Sequence, residues 1–70
     1  AKDYNKAKYW YKKSADQGYA PAQLMLGNMY GLGQGVAKDY NKARYWYQKA
    51  ADQGNADAQY MLRLYDASFL

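Results

Sequence analysis

The apolar positions of residues 37–54, AKDYNKARYWYQKAADQG, recur at helical spacing. Tyr40, Ala43, Trp46, Tyr47, Ala50 and Ala51 lie three, four and seven apart, which puts them on one face of an α-helix. Lys42, Arg44, Gln48, Lys49 and Asp52 fall elsewhere on the wheel. Asp39 stands just before the run, where its carboxylate can accept from the first free backbone N–H groups. Gly54 ends it, since a left-handed residue without a Cβ costs little. A helix of about 14 residues is marginal alone in water, so this one needs a partner for its aromatic and alanine face.

The same pattern occurs twice. Residues 1–18 read AKDYNKAKYWYKKSADQG and differ from 37–54 only at Lys8/Arg44, Lys12/Gln48 and Ser14/Ala50. The first copy has Asp3 as cap, Tyr4, Ala7, Trp10, Tyr11, Ser14 and Ala15 as stripe, and Gly18 as stop. The copies are 36 residues apart, a period that belongs to stacked-repeat proteins.

Between and after the copies, two further helices are expected. One runs over about 20–30, opened by Pro21, with Ala22, Met25, Leu26, Met29 and Tyr30 as its apolar positions. Within it Gly27 reads as a close contact where a Cβ would not fit. The other runs over about 56–65 behind an Asn55 cap, with Asp57 favourably placed against the N-terminal dipole. Its AQYML (58–62) repeats AQLML (22–26), after which Arg63 replaces the equivalent of Gly27. GLGQGVAK (31–38) is expected to be a loop, with Gly31, Gly33 and Gly35 free to take positive φ. Its G-x-G-x-G follows a helix, whereas a dinucleotide-binding loop follows a strand, so phosphate binding is not expected. No strand pattern is present.

Composition narrows the functional classes. The chain has no His, Cys, Glu or Thr, and Ser14 and Ser68 are its only aliphatic hydroxyls, so no nucleophile has a histidine to activate it. No cluster has zinc spacing, and the aspartates recur singly as caps or on solvated faces. No catalytic residue, metal ligand or cofactor site is expected. Without Cys there are no disulfides and no clue to redox compartment. No apolar run approaches membrane length and no signal-peptide pattern is present, so no membrane role is expected. Localisation stays open. The net charge of +4 gathers on the first helix through Lys2, Lys6, Lys8, Lys12 and Lys13. Nucleic-acid binding through these lysines is the weaker alternative. They read more simply as a solvated face, because no nucleic-acid motif accompanies them.

The run LG-x-MYGLG-x-GV-x-KD-x-x-KA-x-x-WY-x-KAA-x-QG, residues 26–54, resembles the Sel-one-like repeat, a relative of the tetratricopeptide repeat. The resemblance implies an all-α solenoid of antiparallel helix pairs in a right-handed superhelix, used as an adaptor surface for proteins or peptides. It divides the chain into a half repeat (1–18, helix B), a full repeat (19–54) and a half repeat (55–70, helix A), about four helices in the phase B-A-B-A. Each end then leaves an apolar stripe partly covered, which suggests either a piece of a longer array or half-units that complete one another between molecules. The second version makes a homo-oligomer or domain swap.

By the same resemblance one side of the A helices lines a concave groove, which makes Leu24, Asn28, Asp57, Tyr60 and Leu64 the candidate partner-binding residues. Packing between repeats is the competing role for them. Tyr9 and Tyr45 are expected to fill space between repeats. The alternative function is a structural spacer, or an idealised or designed repeat with no ligand of its own. The near-identity of the two copies favours that reading, since a site shaped for one ligand needs different residues along a groove.

Overall fold

The computed structural model describes the backbone of residues 3–68 and the side chains of 3–67. Four helices of 13 residues follow one another: α1 (Tyr4–Asp16), α2 (Ala20–Leu32), α3 (Tyr40–Asp52) and α4 (Ala56–Ser68). Each packs on the next, and the short links turn each helix back along its predecessor. The caps act as the sequence implies. The Lys6 N–H donates to Asp3 Oδ1 (3.0 Å), that of Lys42 to Asp39 Oδ1 (3.1 Å) and that of Ala58 to Asn55 Oδ1 (2.9 Å). Gly18 and Gly54 reverse the chain at φ of 90° and 88°.

Two boundaries differ from expectation. α4 continues to Ser68 rather than ending near 65, and α2 continues to Leu32, so Gly31 is helical and buried. In the connecting loop only Gly33 and Gly35 take positive φ. Gly31 serves close approach instead: a Cβ there would collide with the Tyr65 hydroxyl and touch Ala43.

The core has two parts, and α3 supplies both. Trp46 packs with Ala15 of α1 and with Ala22, Leu26 and Met29 of α2. Tyr47, the next residue and about 100° further round the helix, packs with Ala43, Ala50, Ala51 and Ala58. Leu24, Met61 and Tyr65 lie against this second part.

A glutamine clamp fastens successive helices. Gln23, almost fully buried, donates from Nε2 to the Ala15 carbonyl (3.1 Å) and accepts from Gln53 Nε2 (2.9 Å). One period later Gln59, which is exposed, donates to the Ala51 carbonyl (3.2 Å). Gln23→Ala should cost about 1–2 kcal/mol, because it leaves the buried Ala15 carbonyl without its side-chain donor. Gln59→Ala should cost less than about 1 kcal/mol, since water replaces its bond. Urea denaturation of the two variants checks the difference.

Equivalent residues of α1 and α3 do not share a fate. Trp46 is 7% exposed and Trp10 is 58% exposed, and of the α1 stripe only Ala15 is buried. The α1 stripe, expected to be only partly covered, leaves Trp10 in the open. α1, α2 and α4 all contribute to the two clusters around α3, whereas the side chains packed with α1 come from α2 and α3. Tyr9 and Tyr45, expected to fill space between repeats, differ from that expectation. Both are more than half exposed and stand edge-on to the neighbouring indole, Tyr9 on Trp10 (5.3 Å, 79°) and Tyr45 on Trp46 (5.1 Å, 82°). They shield indole edges and do not fill space between repeats.

Candidate interaction surface

On α1 the stripe faces an open cleft. Tyr4, Ala7 and Tyr11 form one wall and Met25 and Met29 of α2 the other, with Asp3 and Gln34 completing a space of about 370 Å³. One period later the corresponding residues are Tyr40, Ala43, Tyr47, Met61 and Tyr65. There Ala43 and Tyr47 are buried because α2 lies on them, while Tyr40 at the edge stays exposed. Gly27 faces the Tyr47 ring so closely that a Cβ would stand 2.6 Å from Cδ1 and Cε1. The Tyr47 hydroxyl donates to Asn28 Oδ1 at 2.5 Å. Its ring meets Tyr65 edge-on at 5.4 Å and 84°. The cleft on α1 is thus the surface that α2 covers on α3, without a helix over it among the described residues.

Burial raises the Tyr47 phenol above its ordinary pKa, and Tyr65 adds to the shift. The native chain therefore holds this proton where the unfolded chain releases it. The Tyr47 contribution is fully present below about pH 10 and declines as pH rises beyond that. Absorbance at 295 nm should show one tyrosine ionising only as the protein unfolds. The urea midpoint should fall more steeply above pH 10 than it does in Tyr47→Phe.

The sequence itself decides the family. The Sel1 repeat family model matches residues 1–19 and 20–55. The chain belongs to the Sel1 repeat family. Sel1 repeats are tetratricopeptide-like all-α solenoids, non-catalytic, that generally mediate protein–protein interaction. α4 lies beyond the matched residues. No curated protein matches the chain. Among the described residues no helix is long and apolar enough to cross a membrane.

Within this Sel1 fold the five candidate residues fall into two groups. Leu24 is half-buried against the Tyr47 cluster and Asn28 accepts from Tyr47, so both take part in holding α2 on α3. Tyr60 and Leu64 stand one period later on α4 and are exposed, at 56% and 43%. Asp57 is exposed in the first turn of α4. Sequence reasoning placed Ala7, Met25 and Met29 on apolar stripes and not in a cleft, and it did not single out the glutamine clamp. The recurrence of Gln23 as Gln59 at the repeat period was the available signal for the clamp.

Of the described lysines of α1, Lys12 and Lys13 are engaged. Lys12 pairs with Asp16 (2.8 Å), and that hydrogen bond raises its pKa. Lys13 lies over the Tyr9 and Trp10 rings at 5.5 and 5.7 Å. Lys6 is exposed, Lys8 is half-buried, and Lys2 lies outside the described residues.

Proposed function

We propose that the chain is an adaptor module with one full repeat, residues 19–54, between half repeats at 1–18 and 55–70. It contacts protein through the open stripe of α1 and the outward side of α4, where Asp57, Tyr60 and Leu64 stand. Leu24 and Asn28 support this role indirectly by fixing α2. The observation that carries the reading is the contrast between two tryptophans in nearly identical helices, 7% and 58% exposed. A face whose copy is core elsewhere in the chain is apolar surface suited to association, and amphipathic Tyr and Trp side chains are common anchors of interfaces.

Photo-crosslinking tests this directly. A benzophenone amino acid placed at position 10 or 60 should give discrete protein adducts in cells, and one at Gln48 should give none. Ala7→Arg, which fills the α1 cleft, should remove the adduct at 10 and leave that at 60. Loss of specificity for 10 and 60 over 48 would overturn the reading. Adducts abolished by nuclease would transfer the function to the lysines of α1.

A further inference from the structure

The repeat supplies a template for what fits the α1 cleft, and this step rests on the reading just given. The cleft continues the α2–α3 interface by one period, so an occupant in the same geometry would meet Tyr11 as α2 meets Tyr47. Two α2 residues make that meeting possible. Gly27 leaves room for the ring, and Asn28 accepts the phenolic proton.

A second copy offers α4 as the nearest candidate. Its residues at the α2 positions 20, 24, 27, 28 and 31 are Ala56, Tyr60, Arg63, Leu64 and Ala67. Ala56 is unchanged, and Tyr60 keeps a large side chain. The Ala67 Cβ also has room, because the Tyr65 hydroxyl that crowds Gly31 is replaced at the cleft by Met29. Arg63 and Leu64 do not fit. In the geometry that α2 takes on α3, a Cβ at 63 would meet the Tyr11 ring as one at 27 would meet Tyr47, and Leu64 has no side-chain acceptor for the Tyr11 hydroxyl.

The geometry points to the α1 cleft as a docking site for a helix of the α2 type, with Gly-Asn at the positions of 27 and 28. It equally points to Arg63-Leu64 as the pair that shuts out α4 of a second copy. The α1 cleft therefore receives such a helix and α4 does not supply one, so copies do not stack head to tail through this pair.

A donor and a receiver can be made separately. Arg63→Gly with Leu64→Asn gives α4 the α2 pair, and Ala7→Arg in the same chain blocks its own cleft. This donor and the unmodified chain, each folded by circular dichroism, should both sediment as 8.1 kDa monomers. Their mixture should give a one-to-one complex of twice that mass. Arg63→Ala with Leu64→Asn and Ala7→Arg keeps the Cβ and should form no complex.

Arg63→Gly with Leu64→Gln and Ala7→Arg, which keeps an amide acceptor at 64, serves as a second donor should the first lose its helical signal. The unmodified chain self-associating through a contact that Ala7→Arg abolishes would overturn the role of Arg63-Leu64. A mixture of folded partners that stays monomeric would overturn the docking site. In that case a surviving adduct at position 10 would leave the adaptor reading intact, and its absence would remove both.

Discussion

Trp46→Ala should remove about 3–5 kcal/mol of stability, and Trp10→Ala less than about 1 kcal/mol, although the two tryptophans sit in helices that differ at only three positions. Trp46 is enclosed by Ala15, Ala22, Leu26 and Met29, with the Tyr45 ring edge-on and the Lys12 ammonium 5.9 Å from its ring. The four buried neighbours are held by two other helices, Ala15 by α1 and the rest by α2, so the space left by an indole does not collapse easily. The loss is comparable to the whole stability of a domain this small, where a single core is only just sufficient. Trp10 touches Tyr9 and carries the Lys13 ammonium at 5.7 Å, both in contact with water. Its removal forfeits one aromatic pair and one exposed cation–π contact. Urea denaturation followed by circular dichroism reads both variants. Equal losses would mean that α1 and α3 have equivalent environments, contrary to the fold described.

The repeat period, the four helices and their caps were legible in the sequence because each rests on local chemistry. Asp3, Asp39 and Asn55 cap within three residues of themselves, and a 3.6-residue stripe needs no knowledge of neighbours. What was not legible depends on how many helices surround a stripe. The patterns around Trp10 and Trp46 are the same, so periodicity alone does not separate them; the B-A-B-A phase implied a partly covered stripe at each end, and the arrangement of α1, α2 and α4 around α3 sets how far the two tryptophans differ. Gly31 was misread for a similar reason. A glycine in a glycine-rich run suggests a turn, yet its role is set by Tyr65, 34 residues away, pressing on its backbone. The candidate site was legible in part. Tyr60 and Leu64 stand exposed on α4, but Leu24 and Asn28 occupy the same helical positions on α2 and are engaged by α3. The cleft residues were read as stripe positions and not as a site, because a cleft between two helices is a property of the pair.

Gly27→Ala should destabilise the chain by about 1–3 kcal/mol, against the sign that helix propensity alone gives. In an exposed helix interior the change would stabilise by about 1 kcal/mol, since alanine restricts the unfolded chain and glycine does not. Here the added methyl would stand 2.6 Å from two carbons of the Tyr47 ring, well inside van der Waals contact. The ring has nowhere to go. It is 1% exposed, packed with Ala43, Ala50, Ala51 and Ala58, bordered by Tyr65 and tied through its hydroxyl to Asn28. The strain must therefore separate α2 from α3, which opens the core at its centre.

Tyr47→Leu isolates the cause. It costs stability by itself, but it removes the ring carbons that the methyl meets, so adding Gly27→Ala to it should cost little or restore some stability. The coupling in this double-mutant cycle should be of order 1–3 kcal/mol. Additivity of the two changes would show that the ring and the glycine do not bear on each other. The reason for excluding Arg63 from the α1 cleft would then fail with it, because that exclusion is the same contact one repeat earlier.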